Sequence, residues 1–345
     1  MNSKKIVVTG GTGYIGSHTC VELINKGYEV IIIDNLSNSK IEVVNSIGEI
    51  TGTKPEFHKI DVCNLKELEG FFKQNQVNAI VHFAALKAVG ESVKIPLAYY
   101  RNNLMSLLNL LDLCKKYSVN HFIFSSSCTV YGQPDVLPVT ENASVKQAES
   151  PYGNTKIISE SILKDTAKIS SLNVISLRYF NPVGAHDSAL IGEYPIGSPN
   201  NLMPVITQTA IGKNKILEIF GSDYNTPDGS CIRDYIHVMD VAAAHVIATD
   251  RLLTTKNKNS FEVFNLGTGK GISVLEMVNA FIELTGISLN YKISGRRQGD
   301  IEQVYADTAY ANTELGWKSN RNLSDMIQSS WKWEQALQQK ELKNA

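Results

Sequence analysis

The sequence predicts an α/β protein, a doubly wound parallel sheet followed by a smaller mixed α/β lobe. Three observations predict it. Short β-branched runs alternate with helix-like stretches through the first half, a glycine-rich turn joins the first run directly to the first helix, and the alternation gives way near residue 180 to a long segment rich in Gly, Pro and Asn. Strand-helix alternation implies parallel strands with helices packed on both faces. Strands covered on both faces read as continuous apolar runs, not as alternating ones.

The elements follow in order. Residues 6–8 (Ile-Val-Val) form the first strand. Gly10, Gly13 and Gly16 come next, in the spacing G-x-x-G-x-x-G, and residues 17–26 continue as a helix. This is a variant of the dinucleotide fingerprint. Glycine allows a tight turn and close approach of the backbone to a pyrophosphate, and the helix start presents free N–H groups with partial positive charge. Residues 30–33 form the second strand, and Asp34 ends it, 24 positions after Gly10. A carboxylate there accepts hydrogen bonds from the adenosine ribose and repels a 2′-phosphate, which selects NAD over NADP. The first lobe is therefore read as a Rossmann-type domain. Asp61 and Val62 follow a further apolar stretch, in a position to cover the adenine, although Asp61 taken alone also reads as a plain loop residue.

Residues 79–83 and 122–125 read as two more strands, with a helix over 104–117 between them. The strand at 122–125 runs into Ser125-Ser126-Ser127. Residues at the carboxyl ends of parallel strands line the ligand crevice, so Ser127 is placed to bond a substrate oxygen. Tyr152 follows 25 positions later in Tyr152-Gly153-Asn154-Thr155-Lys156, with Pro151 suited to the first turn of a helix. Positions i and i+4 share a helix face, so the Lys156 ammonium is expected near the Tyr152 phenol, where it favours the phenolate and makes tyrosine a usable base.

A strand at 174–178 is expected to end the first lobe. The domain division is 1–180 for the NAD-binding part and 181–345 for the substrate-binding part, with the chain free to cross between lobes. The second part shows an irregular segment over 181–204, strands at 217–220 and 262–266, and helices at 274–285 and 323–337.

Composition sets outer limits. The 345 residues are 43% apolar and 19% charged with a net charge of −1, which suits a globular protein of two lobes and offers no basic excess for a nucleic-acid backbone. The five cysteines are scattered with no C-x-x-C pair, so neither a disulfide framework nor a metal site is expected, and a reducing, cytoplasmic setting fits. No secretory leader and no membrane span are expected, because every apolar run falls short of about 20 residues.

With the glycine loop, the strand-end serine and the Tyr-Lys pair in series, the chain resembles the extended short-chain dehydrogenase/reductase family and, more narrowly, its UDP-glucose 4-epimerases. The resemblance runs nearly end to end. It includes Leu86-Lys87-Ala88-Val89-Gly90-Glu91-Ser92, Arg178-Tyr179-Phe180-Asn181-Pro182-Val183-Gly184, Pro199-Asn200-Asn201-Leu202-Met203-Pro204 and Arg233-Asp234-Tyr235-Ile236-His237. The last three lie outside the cofactor lobe and mark the substrate class.

The resemblance implies a tightly held NAD, contacted by Gly10, Gly13, Tyr14, Ile15, Gly16, Asp34, Asn35, Asp61, Val62, Phe83, Ala84, Lys87, Asn102, Tyr152 and Lys156. It implies a UDP-sugar site made of Lys87, Ser127, Phe180, Asn181, Asn200, Asn201, Leu202, Phe220, Arg233, Arg297, Asp300 and Val304. Two arginines suit a diphosphate, because the guanidinium fork matches its oxygens, and Phe220 offers an apolar face to a nucleotide. Tyr152 would act as the base on the sugar 4-hydroxyl, Ser127 would hold that oxygen, and Lys156 would orient the cofactor ribose. A transient 4-keto sugar then turns over, and hydride returns to its other face. A homodimer packed through helices, including the one that begins near Tyr152, is implied as well.

Two departures stand out. Cys231 occupies a position where many relatives have glycine, and Arg101 one where some carry an acid. The fourth residue after Gly299-Asp300 is Val304. In the resembling family a tyrosine there accompanies restriction to plain hexoses and a small residue accompanies acceptance of N-acetylhexosamines, so both substrate types are expected here. The rivals are a sugar-nucleotide 4,6-dehydratase, which would carry an Asp-Glu pair where this chain has Cys128-Thr129, and a non-catalytic NAD-sensing protein on the same scaffold.

Overall fold

The computed structural model describes residues 3–197, 199–297 and 299–344. Gln298, within the Arg-Arg-Gln-Gly-Asp stretch that precedes Val304, lies outside them. The first part of the chain runs β1 (Lys5–Thr9), α1 (Tyr14–Asn25), β2 (Glu29–Asp34), α2 (Glu42–Thr51), β3 (Glu56–Lys59), α3 (Leu65–Gln74), β4 (Ala79–His82), α4 (Val89–Lys94), α5 (Pro96–Tyr117), β5 (His121–Ser125), α6 (Pro151–Ile169) and β6 (Asn173–Tyr179). The second part adds β7 (Asn181–Val183), α7 (Leu202–Ala210), β8 (Leu217–Phe220), β9 (Ile232–Arg233), β10 (Tyr235–His237), α8 (Val238–Leu253), β11 (Phe261–Leu266), β12 (Ile272–Ser273), α9 (Val274–Thr285), β13 (Tyr291–Ser294), β14 (Gln303–Val304) and α10 (Leu323–Asn344).

Seven strands form one parallel sheet in the order β11-β6-β5-β4-β1-β2-β3. The order reverses at β1, between β4 and β2. Ligands bind at such a switch point, beyond the carboxyl ends of the strands. Both faces of β1 are covered. Ile6 and Val8 join a core with Cys20, Leu23, Ala244 and Ala248, on the side of α1 and α8, while Val7 joins Leu68, Leu107, Leu110 and Leu163 on the side of α3, α5 and α6. Each valine, leucine or isoleucine among them contributes roughly 1.5–3 kcal/mol on full burial.

The chain re-enters the sheet late. α8 and β11 lie well beyond position 180, yet α8 packs on α1 and β11 pairs with β6 along its length, from Phe261 beside Val174 to Leu266 beside Tyr179. The remaining strands form small sheets: β10 with β7, β12-β9-β14, and β13 with β8. A separate core of Met203, Ile206, Leu217, Ile219, Met277, Phe281 and Ile327 fills the second lobe.

Among the described residues, no helix is long and apolar enough to cross a membrane, and no group of three or more His, Cys, Asp or Glu is placed to hold a metal ion.

Candidate functional site

At the switch point the glycine loop leaves β1 and enters α1. Gly10 has φ +70°, and a Cβ there would lie 2.8 Å from the Ala84 backbone nitrogen. A Cβ on Gly16 would lie 2.2 Å from the Gly10 carbonyl oxygen. Both positions therefore require glycine, and the loop is folded tightly against the turn after β4. Gly13 caps α1 without any side-chain hydrogen bond to the helix start. The N–H groups of that first turn and the helix dipole stay open to an anion.

Asp34 ends β2 and is buried. Its carboxylate accepts from the Thr12 N–H (3.2 Å), the Leu36 N–H (2.9 Å) and the Ser39 hydroxyl (3.2 Å). The side chain of Asn35 donates to Asp61 at 3.2 Å, so Asp34, Asn35 and Asp61 form one acidic rim beside the loop. Val62 is buried in the core with Val7 and Leu68. Phe83 and Ala84 follow β4 directly, and the Ala84 N–H lies 3.4 Å from the Thr9 hydroxyl. Asn102 donates to Asn103 at 3.0 Å, beside the same turn. An uncapped helix start, a cradle that any Cβ would fill and a strand-end carboxylate fit a dinucleotide's pyrophosphate and ribose.

The reacting groups meet where β5 ends and α6 begins. Ser150 caps α6 by accepting from the Gly153 N–H at 3.1 Å. Tyr152, Lys156 and Glu160 lie on one buried face of α6 at i, i+4 and i+8. The three serines after Phe124 take different parts. The Ser125 carbonyl accepts from Lys156 Nζ at 2.6 Å, the Ser126 hydroxyl donates to Glu160 at 2.6 Å, and the Ser127 hydroxyl accepts from the Thr129 N–H at 3.2 Å beside Tyr152.

The i, i+4 spacing brings Lys156 to the side of Tyr152, where its Nζ donates to the Ser125 carbonyl at 2.6 Å and sits 5.9 Å from the tyrosine ring centroid and 4.8 Å from that of Phe124. Burial pushes the Tyr152 phenol well above its ordinary value, the neighbouring Tyr179 adds to this, and the Ser127 hydroxyl opposes it. Burial also lowers Lys156 to about 8, while Glu160 works to keep it charged. Desolvation is the largest of these influences on the phenol, because a buried phenolate loses its hydration.

On the other wall, Arg297 donates to both oxygens of Asp300, at 3.1 and 2.8 Å. The Arg297 guanidinium lies 5.5 Å from the Phe220 ring centroid, and Arg233 lies 4.0 Å from Asp300. Phe220, Arg233, Arg297 and Asp300 are therefore brought together across 81 positions, from 220 to 300. Phe180, Val304 and Cys128 share one small apolar cluster next to Ser127. Val304 faces that cluster, and Tyr305 turns the other way, against Gly271. Asn181 pairs with Tyr235 between β7 and β10. Asn201 and Leu202 open α7, which has no side-chain cap, and Asn200 is exposed before them. Cys231 is buried under Tyr224, and Arg101 is an exposed residue of α5, away from this wall.

Several residues at the site escaped the sequence. Asn103 accepts from the Leu86 N–H (2.8 Å) and donates to the Leu86 carbonyl and Thr155 (both 3.0 Å), pinning the Lys87 loop to α6. Tyr179 shares a 2.5 Å hydrogen bond with Ser125. Glu160 is held by Arg178. A charged residue four positions after Lys156 on a buried face was the one local sign of it. Glu193 accepts from both Lys87 and Asn201.

Comparison with known proteins places this geometry. Residues 7–330 match the family model described as GDP-mannose 4,6 dehydratase. A UDP-glucose 4-epimerase of Dictyostelium discoideum is 51% identical over 331 residues, which are 96% of this chain and 95% of that one. Among solved structures, the UDP-glucose 4-epimerase of Stenotrophomonas maltophila with bound NAD and formylated UDP-arabinopyranose superposes with a TM-score of 0.94 at 47% identity, covering 98% of this chain and 99% of that one. The Bifidobacterium longum UDP-glucose 4-epimerase in complex with NAD⁺ and UDP gives 0.93 at 45% identity, over 96% and 98%.

Proposed function

The chain belongs to the UDP-glucose 4-epimerase family, and from that premise we propose how its residues divide the work of NAD-dependent C4 epimerisation. That activity, on UDP-hexoses, is the function of this protein, and NAD is its cofactor. The site assignments are carried by one observation: Tyr152, Lys156 and Ser127 converge in a buried corner where β5 ends and α6 begins.

NAD, when bound, supplies a two-electron acceptor for C4 and a positive charge that favours the Tyr152 phenolate. The glycine loop and the start of α1 bind the pyrophosphate. Asp34 accepts from the adenosine ribose, with Asn35 and Asp61 beside it. Lys156 and Asn102 hold the nicotinamide end. Tyr152 takes the proton of the sugar 4-hydroxyl and later returns it to the same oxygen, and Ser127 bonds that oxygen throughout. Arg233 and Arg297 clamp the diphosphate, and Phe220 lies against the nucleoside. The UDP end stays fixed while the 4-keto sugar turns over in a pocket walled by Phe180 and Val304.

The matching family model is described by a dehydratase, which eliminates water across C5 and C6. Such chemistry needs an acid and a base beyond the strand-end hydroxyl, where this chain has Cys128-Thr129. Conversion of UDP-galactose to UDP-glucose without net NADH tests the epimerase reading directly, and accumulation of a 4-keto-6-deoxy product would replace it.

Three finer readings belong to the proposal. The substrate range extends to UDP-N-acetylhexosamines: Val304 is smaller than a tyrosine by most of a ring, and the neighbouring Tyr305 packs instead against Gly271. The chain acts as a homodimer through α5 and α6. Leu97, Met105 and Leu108 form an exposed apolar stripe on α5, and α6 packs beside it. The protein works in the cytoplasm, where its five unpaired cysteines stay reduced.

A further inference from the structure

One carboxylate at the seam between the lobes has no task in the reaction. Oε1 of Glu193 accepts from Asn201 Nδ2 at 2.5 Å and from Lys87 Nζ at 3.4 Å. Lys87 stands on the loop after β4 and Asn201 immediately before α7, so a single oxygen ties one donor from each side of the cleft.

The backbone at Glu193 is fixed. A Cβ on Gly192 would lie 2.5 Å from the Trp333 indole, so the chain lies flat against that ring, and Trp333 Nε1 donates to the Glu193 carbonyl at 2.9 Å. The next residue, Tyr194, accepts from Lys40 Nζ at 2.7 Å, with the ammonium 4.1 Å from its ring centroid. The Glu193 side chain is 13% exposed and that of Lys87 is 51% exposed. The carboxylate is the more buried partner and the lysine the more exposed one.

A lysine and an asparagine at a cleft mouth lose rotamer freedom when a ligand orders them, and that loss weakens binding. A fixed acceptor that orders them beforehand removes much of it. An ion pair this exposed adds little to folding stability, so its effect falls on placement.

We propose that Glu193 is a positioning residue of the UDP-sugar site, holding Lys87 and Asn201 in their working orientations before substrate arrives. This rests on the assignment of Lys87 and Asn201 to that site.

The test is steady-state kinetics of the NAD-loaded enzyme with UDP-galactose. In Glu193→Ala, KM rises roughly three- to tenfold while kcat stays within about twofold and the melting temperature is unchanged. Glu193→Gln, whose carbonyl oxygen can accept from both donors, stays near wild type. In a Lys87→Met, Asn201→Ala background, adding Glu193→Ala raises KM no further. A KM that is unchanged or lower in Glu193→Ala overturns the proposal, as does a glutamine variant as impaired as alanine or a full added effect in the double background. If Lys87→Met and Asn201→Ala raise KM while Glu193→Ala does not, the positioning role alone fails. If those two changes leave KM untouched, their assignment fails and the proposal falls with it.

Discussion

Glu160 and Arg178 form a buried two-point ion pair, with Arg178 Nη2 2.6 Å from Oε2 and Nε 3.0 Å from Oε1. Oε1 also accepts from Ser126 (2.6 Å) and Ser176 (2.8 Å), so the carboxylate is saturated by groups from β5 and β6. On its far side Arg178 donates to the Tyr131 hydroxyl, which donates to Asn265 of β11. The pair locks the helix that carries Tyr152 and Lys156 to three adjacent strands. Glu160→Ala leaves the guanidinium buried and unpaired, which costs about 3–5 kcal/mol. Chemical denaturation should show that loss, and Glu160→Ala with Arg178→Met should recover part of it.

Tyr152→Phe keeps the fold and the bound NAD and loses its base. Turnover of UDP-galactose falls by about 10²–10⁴-fold. A coupled assay for UDP-glucose, run beside quantitation of nucleotide released by denaturation, separates lost chemistry from lost cofactor. Near-normal turnover would remove Tyr152 from the role.

Asp34 is expected to set the choice of cofactor. Its carboxylate is already oriented by Thr12, Leu36 and Ser39, and a 2′-phosphate would meet a fixed negative charge. Mass spectrometry of the nucleotide released from purified protein should find NAD, and Asp34→Ser should raise the NADP share. A dominant NADP signal in the unaltered protein contradicts the assignment.

Val304→Tyr should abolish turnover of UDP-GlcNAc and preserve that of UDP-galactose. The added ring would have to enter the buried cluster that Val304 shares with Phe180 and Cys128. The unaltered enzyme must turn over UDP-GlcNAc measurably for the reading to stand.

Stability should fall with acid from about pH 6.5 downward. Burial lowers His18, His82 and His237 to about 3 and His245 to about 4, and Nε2 of both His18 and His245 is buried without a partner. In the unfolded chain these rings take up protons near pH 6.5, while in the folded one they stay neutral. Their contribution is complete above the unfolded value and is lost as pH drops toward the folded one, by up to about 1.4 kcal/mol per pH unit for each ring. Urea midpoints across pH 4–7, an interval set by these histidine values, measure it. A flat profile would mean that the rings are charged inside.

The sequence reads well where the cause is local. Residues 6–8, 30–33 and 122–125 are strands because their apolar runs are buried on both faces, and the structure extends them only by a residue or so at an end. Glycine spacing, Asp34 and the Tyr152–Lys156 interval are equally local. The stretch before Asp61 is less apolar than it reads, since Phe57 is the one apolar residue in Glu-Phe-His-Lys, and β3 is a strand by virtue of pairing with β2 at the sheet edge. α8 was missed because it is buried nearly all round, so its alanines show no amphipathic period. α5 starts at Pro96, well before the helix read at 104–117, because its first turns mix tyrosines with polar residues. Glu193 and Lys87 lie 106 positions apart, and no spacing rule reaches that far.

The late return of the chain to the sheet binds the two lobes into a single folding unit. A fragment that stopped at residue 180 would expose the whole hydrogen-bonding edge of β6, seven residues with an apolar centre, and would strip α8 from α1. Such an edge recruits other chains. The cofactor half, cut at residue 180, would therefore carry an unpaired strand edge and an uncovered face of α1. During synthesis its sheet stays open on that side until residues 261–266 have left the ribosome.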